Sequence, residues 1–446
     1  MRQSVTARRL PFHRGPAAWN EILGPQPAPE LQDGKETADF VIIGGGFAGL
    51  SAARRLIQLQ PGAKVVVLEA GRLAEGASGR NSGFMIDLPH DLASDDYAGA
   101  GDDLTMIALN RQAIAFAGSA VKEYGIRSDY FDPAGKVNGA ATAAGHAHNL
   151  SYSKHLKTLG ETSELLDQNQ MEELTGSRHY RSGLYTPGTV MLQPAGYIRG
   201  LGAGLKQHAR IYENSPATGF KRDGVNWIVT TPKGSISTGR ILLANNGHLE
   251  SFGFERGRLM QLFLYASMTP ELDAGALKKL GGAARWGVTP SDPMGTTMRR
   301  IDTGQGGNRI VTRTCATLNP GMVPTQAGVD RAARVQQKKF DQRFPQLAGM
   351  KMQYCWAGHL CLSLNGVSVM REVEDGVFAA CVQNGLGTAR GTLTGIGAAE
   401  LACGETSDIT SYFTQEAKPK RLPPRPFAEI GANAVLRWKE WRAGNE

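Results

Sequence analysis

Gly44, Gly46 and Gly49 stand in the frame G-x-G-x-x-G, and Glu69 follows about 20 residues beyond the last of them. Residues of these types at this spacing can hold a dinucleotide. Gly44 permits a tight turn, Gly46 lets backbone approach a pyrophosphate, and Gly49 lets a helix pack close to the strand before it. A helix opening at Phe47 and Ala48 offers N–H groups and a positive dipole end to the phosphates. The Glu69 carboxylate can accept from ribose hydroxyls.

The flanking sequence supplies the elements that must position these residues. Ala38–Ile43 is mostly apolar and rich in β-branched residues, as suits a buried strand of a parallel sheet. Leu50 to Gln60 carries Leu50, Ala53, Leu56 and Ile57 at helical spacing, and Pro61-Gly62 ends it. Val65–Leu68 is a second buried strand that closes on Glu69. A lone glycine motif is weak evidence, but strand, helix and spaced carboxylate together make a dinucleotide site.

A second glycine-rich loop follows, from Ala70 and Arg72 through Ala77, Ser78, Gly79, Arg80, Asn81, Ser82 and Gly83. So many glycines exclude a helix or a central strand. A nicotinamide domain has no need of such a loop here. A flavin does, because its pyrophosphate and ring both need backbone within hydrogen-bonding distance. FAD is the expected cofactor.

Composition sets the outer bounds. With 446 residues the chain is too long for one simple core, so two domains are expected. The net charge of +8 comes without a dense basic stripe interleaved with aromatics, which argues against nucleic acid. Five cysteines form no CxxC pair, and an odd number excludes a complete disulfide framework. A reducing, cytoplasmic setting fits. No apolar region follows Arg8-Arg9, and no stretch approaches the length of a membrane span. His146, His148 and His155 have no nearby Cys or Asp to complete a metal set; they are read as exposed, and no metal is expected.

The fold class is α/β: a Rossmann-like FAD-binding domain interleaved with an antiparallel-sheet substrate domain. The division is an N-terminal arm, 1–37; a discontinuous FAD-binding domain, 38–110 with 180–255 and 350–410; a substrate domain, 111–179 with 256–349; and a tail, 411–446. The arm is expected to lie across the surface, with 1–10 equally readable as a disordered tail. Ser235–Thr238 and Arg240–Asn245 are read as separate strands, a second helix is placed at about Thr392–Cys403, and the tail is read as helical near Val435–Arg442.

These motifs resemble the D-amino-acid-oxidase-like FAD-dependent oxidoreductases, including glycine and sarcosine oxidases and the γ-glutamylputrescine oxidoreductase-like branch. The matching residues are Gly44–Gly49 with Glu69, Gly76–Gly83, Gln193–Leu201, Tyr212–Ala217, Leu242–Gly247, Met298–Arg300 and Trp356–Gly358. The resemblance runs from about residue 17 to 440. It implies that Gly79–Gly83 passes along the flavin ring and that Ser215–Ala217 touches the adenine, which adds Ala217. It also adds Asn245 and Gly247, and a late helix opening at Gly385, Gly387, Thr388 and Arg390 aimed at the flavin pyrimidine oxygens. Thr388-Ala389-Arg390 departs from the family's pattern there; Arg390 either raises the flavin's electron affinity or turns outward. Cys361 falls where covalent relatives carry their flavin-linking cysteine; a buried structural thiol is the other reading.

The implied activity is oxidation of a C–N bond in an amine or amino acid by hydride transfer to flavin N5, giving an imine and then an aldehyde or keto product. The partners implied are that small molecule and O2 or another electron acceptor. Arginine suits a substrate carboxylate, so Arg299, Arg300 and Arg313 are candidates, and strand alternation lets only one of the first two face a pocket. His359 and His90 are candidate polar groups near the ring. Two other functions compete: a dehydrogenase passing electrons to a quinone or carrier protein, and a flavin-holding subunit of a larger complex. Trp438 and Trp441, with Arg437, Lys439 and Arg442, favour a membrane face if they do not dock on the protein itself.

Overall fold

Val41, Ile42, Val66 and Val67 are almost fully buried on both faces of a sheet, the environment their branched side chains favour. In the computed structural model, which describes residues 3–89, 102–425 and 427–446, they belong to a nine-stranded sheet. Its parallel heart is Gly34–Ile43, flanked by Val65–Leu68 on one side and Gly234–Leu243 on the other. Arg210–Tyr212 extends the parallel set beyond Val65–Leu68.

Gly234–Leu243 is one ten-residue strand, not the two expected. Its first half pairs with the antiparallel strand Asn226–Thr230, and its second half pairs with the parallel strand Val377–Cys381. The change of partner at Gly239 gives the sequence its look of a break. Helices Phe47–Leu59 and Ala389–Cys403 pack on this sheet and on each other. A side chain at Gly395 would lie 2.1 Å from the Ala48 carbonyl, so the two backbones touch.

An eight-stranded sheet runs Tyr354–Ser363, Leu259–Met268, Arg309–Leu318, Thr297–Ile301, Trp286–Pro290, Lys136–Ala140, Ser182–Thr186, Glu164–Leu166. Its pairings are antiparallel except that between Trp286–Pro290 and Lys136–Ala140. Ser182–Thr186 and Tyr354–Ser363 fall within the segments expected to bind the nucleotide, yet they hydrogen-bond into this sheet. Their sequence neighbours do join the other sheet, and a linear reading cannot see where the chain crosses over. This is the mixed α/β architecture expected, with two large sheets interleaved in sequence.

The N-terminal arm is built in. Ser4–Thr6 pairs with Gly219–Lys221, and Trp19 is completely buried. Arg14 and Ala357 are joined by an Ala357 N–H to Arg14 carbonyl bond of 3.1 Å, so the arm reaches the eight-stranded sheet. The tail helix runs from Phe427 to Ala443, longer than expected. His146, His148 and His155 are half-buried rather than exposed. His146 bonds Ser182 Oγ at 2.7 Å and His155 bonds Asp103 at 2.8 Å. Among the described residues no helix is long and apolar enough to cross a membrane.

Candidate flavin and substrate site

The three motif glycines meet different surroundings. Gly44 has φ +113°, and a Cβ there would lie 2.6 Å from the Ala244 carbonyl, so the turn and the contact both require glycine. A Cβ on Gly49 would lie 1.8 Å from the Gly44 carbonyl, which fixes how closely the helix seats on its strand. Above Gly46 the nearest atoms are those of Ser78, at 3.7 Å. That space lies at the start of a helix whose N-cap makes no side-chain bond, so its first amides face the cavity.

Glu69 sits at the end of its strand with both oxygens held by backbone. Oε2 accepts from Gly45 N–H at 2.7 Å and Oε1 from Gly71 N–H at 3.1 Å. Burial pushes its pKa up, and these N–H groups pull it back. The carboxylate is therefore oriented, and it lines the same cavity as Gly44, Gly46, Phe47, Ala48, Ala70, Ala77, Ser78 and Ala217. Arg72 does not line it. Its guanidinium pairs with Glu213 at 3.1 Å and secures the base of the loop.

The second glycine loop lines the cavity through Arg80, Asn81, Ser82 and Gly83. Arg80 is buried, and it spends its donors on backbone carbonyls of Glu75, Gly15 and Ala357, at 2.6, 3.0 and 3.2 Å. Burial lowers its pKa to about 10. It ties the loop to the arm and to the late strand. Asn81 braces the loop from within, accepting from Gly83 N–H at 2.7 Å and donating to the Ser78 carbonyl at 2.6 Å.

The second helix N-terminus arrives from the other side, with Gly385, Gly387 and Thr388 lining the cavity. Thr388 Oγ1 donates to the Phe84 carbonyl at 2.8 Å, which joins the helix opening to the glycine loop. Arg390 turns away, but not to solvent. It is buried, donates to the Gly366 carbonyl at 3.0 Å and pairs with Glu416 at 3.1 Å. Its position in the first helical turn carries the side chain off the cavity face. Asn245 lines the cavity, whereas Gly247 lies behind it; a Cβ there would meet the Gln261 and His359 side chains.

The eight-stranded sheet supplies the remaining wall. Of the three arginine candidates, only Arg313 contributes to the lining. Arg299 is buried beneath the glycine loop, where it donates to the carbonyls of Ser82 and Leu192 and to Gln305 Oε1 at 2.9 Å. Burial lowers its pKa to about 9. Arg300 lies on the opposite face and donates to the Gly281 carbonyl. Neither lines the cavity, and each spends donors on backbone carbonyls, so neither is placed to meet a substrate carboxylate.

His359 does line the cavity. It bonds Gln261 Oε1 at 2.9 Å, stacks on Phe263 at 5.2 Å and meets His248 edge-on at 5.5 Å. Burial lowers the pKa of His359 to about 3, and those of His248 and His13 to about 4, so all three are neutral imidazoles near pH 7. Cys361, two residues along the same strand face as His359, is absent from the cavity lining and packs in a core cluster with Leu259, Val377 and Cys381, and burial drives its pKa well above the usual thiol value. A thiol there does not reach the cavity, so the structural reading holds. His90 lies outside the described residues.

Sequence reasoning missed His248, Tyr265 and the arm segment Arg9–His13, all of which line the cavity. His248 directly follows the Asn245-Asn246-Gly247 motif, so adjacency was a usable signal. The arm has none: it is placed by contacts with residues some 300 positions away, such as the Arg14 Nε bond to the Pro324 carbonyl at 2.9 Å.

The residues present fit FAD. Two helix N-termini, an open space above Gly46, an oriented carboxylate at Glu69 and a backbone-rich loop converge on one cavity. A protein-family model described as DAO, FAD dependent oxidoreductase, matches residues 39–401. The chain is 24% identical over 439 residues to a probable oxidoreductase OrdL of Rhizobium meliloti, covering 94% of each chain. It is 24% identical over 417 residues to the γ-glutamylputrescine oxidoreductase of Escherichia coli, covering 89% of this chain and 91% of that one. The solved glycine oxidase of Geobacillus kaustophilus superposes with a TM-score of 0.69 at 16% identity, covering 86% of this chain and 100% of that one.

Proposed function

Because the chain belongs to the DAO family of FAD-dependent oxidoreductases, we propose that it oxidises a C–N bond of an amine or amino acid. The observation that carries this reading is one cavity walled by two unlike surfaces. Backbone amides and glycines form one side, and Arg313, His359 and Tyr265 form the other. FAD, which Gly44, Gly46, Glu69 and the Ala77–Gly83 loop would hold, would supply the two-electron acceptor. Relatives whose names record amine or amino-acid substrates, the γ-glutamylputrescine oxidoreductase and the glycine oxidase among them, support the substrate class.

The chain's own groups have definable tasks. Arg313 lines the cavity, and a guanidinium is the group type that suits a substrate carboxylate. The neutral imidazoles of His359 and His248 place no positive charge against an incoming ammonium. With a pKa of about 3, His359 is too weak a base to deprotonate that ammonium near neutral pH. The substrate's proton therefore leaves to solvent before reaction, and the reactive species is the free amine. The arm segment Arg9–His13 forms part of the cavity wall. Water then hydrolyses the released imine.

The test is product analysis with a panel of primary amines, secondary amines and amino acids, in air and with an artificial electron acceptor. A carbonyl product formed in step with acceptor reduction supports the reading. FAD-loaded protein that converts no member of the panel with either acceptor contradicts it. For a converted substrate, Arg313→Gln raises KM about tenfold or more if a carboxylate is bound there, and leaves KM unchanged for a plain amine.

A further inference from the structure

The helix Phe427–Ala443 is docked through its polar side. Asn433 brackets Leu318, donating to its carbonyl and accepting from its N–H, each at 3.0 Å. Glu440 accepts from Ala316 N–H at 2.9 Å and pairs with Arg331 at 2.8 Å. The apolar side is turned to solvent: Phe427, Ile430, Val435, Trp438 and Trp441 are each 51–78% exposed. At 3.6 residues per turn, all of these but Val435 fall with Ala434 in a stripe about 80° wide. An ordinary surface helix faces the other way.

Cations border this stripe. Lys418, Lys420 and Arg421 are exposed just before the helix, and Arg442 is exposed on it, 5.0 Å over the Trp438 ring and 3.9 Å from Asp292. The segment carrying them is fixed in place: Leu422 N–H bonds the Gly257 carbonyl at 2.9 Å, and Lys420 N–H bonds Asn365 Oδ1 at 3.0 Å. The helix's two carboxylates are each paired with an arginine, Glu440 with Arg331 on the docked side and Glu429 with the exposed Arg425 at 3.3 Å.

We infer that this face seats the protein on an anionic lipid bilayer, with the aromatic stripe in the interface and the lysines and arginines against the headgroups. Aromatics on one side of a helix with basic residues around them is the composition of a helix that lies in a membrane surface without crossing it. A second copy of the chain is the poorer occupant, because a two-fold contact would set these cations against their own copies.

The test uses the full-length, FAD-loaded protein in co-sedimentation with vesicles of phosphatidylcholine alone and of phosphatidylcholine with phosphatidylglycerol. Binding to the anionic vesicles and not the neutral ones is expected, weakening with added salt. Trp438→Ser with Trp441→Ser lowers that binding by about tenfold or more, with melting temperature and amine oxidation unchanged. Lys418→Glu, Lys420→Glu and Arg421→Glu together lower it by a similar factor and remove the salt dependence. Failure of the folded protein to bind anionic vesicles overturns the inference. So does equal binding to neutral ones, or a concentration-dependent dimer in light scattering that the tryptophan substitutions abolish.

Discussion

The Arg299 guanidinium lies 5.1 Å over the ring of Trp19, and the two side chains hold consecutive carbonyls of the glycine loop. Trp19 Nε1 donates to the Asn81 carbonyl at 2.8 Å, and Arg299 donates to that of Ser82 at 3.1 Å. One residue comes from the N-terminal arm and the other from the eight-stranded sheet, yet both are essentially inaccessible to solvent. Gly83 makes this possible, since a Cβ there would lie 2.1 Å from the Arg299 Nη1.

Arg299 is accordingly a support of the loop rather than a substrate ligand. Arg299→Ala orphans buried carbonyls and costs about 3 kcal/mol or more of stability, together with FAD retention. Arg299→Lys recovers little, because one ammonium cannot reproduce the planar fork. Denaturant titration and flavin content measure both effects. A raised KM in FAD-saturated, fully stable Arg299→Lys protein would return the residue to the substrate pocket.

Two alanine substitutions separate the roles of the motif glycines. Gly49→Ala forces a Cβ into the Gly44 carbonyl, so protein that neither folds fully nor holds FAD is expected. Gly46→Ala meets nothing closer than 3.7 Å, so the fold survives while FAD affinity drops about tenfold or more, because the methyl group occupies the phosphate space. Circular dichroism and FAD titration distinguish the two. Normal FAD affinity in Gly46→Ala would place the pyrophosphate elsewhere.

Arg390 and Glu416 form a buried pair away from the cavity. Removing one partner leaves an uncompensated charge and costs about 3–5 kcal/mol. Arg390→Gln is therefore expected to lower the melting temperature and leave the flavin midpoint potential where it was. A fall in potential would show that the guanidinium acts on the flavin after all.

Stability depends on pH through the buried histidines. His248, 8% exposed, has a folded pKa of about 4 against 6.5 for an ordinary imidazole. Between those values the unfolded chain binds more protons, so stability is complete above about pH 6.5 and is lost as pH falls toward 4. The contribution of this one residue is about 3 kcal/mol across that window. His248→Gln flattens the curve of melting temperature against pH. An unchanged curve would mean the imidazole is charged or hydrated in the fold.

The sequence was most informative where function is local. Strand, turn, helix and carboxylate from Ala38 to Glu69 are continuous in the chain, and each residue's task follows from its immediate neighbours. The strand-to-helix pattern also marked the late helix near Gly385–Gly391. Side-chain direction was another matter. Arg299, Arg390 and Cys361 stand in the expected segments, but each is turned by a partner remote in sequence: the loop carbonyls, Glu416 and the Val377–Cys381 strand. The arm was the least legible. Its course is dictated by Arg80 and by the strand Tyr354–Ser363, and nothing in residues 1–37 encodes either.

The central claim is that a flavin held by Gly44–Gly49, Glu69 and the Ala77–Gly83 loop accepts electrons from an amine. The most direct measurement is the visible spectrum of the purified, FAD-loaded protein under anaerobic titration with amines and amino acids. Bleaching of the flavin by one chemical class, reversed on admitting an acceptor, is the predicted result. A protein that binds no FAD even when it is supplied in excess would contradict the account at its root.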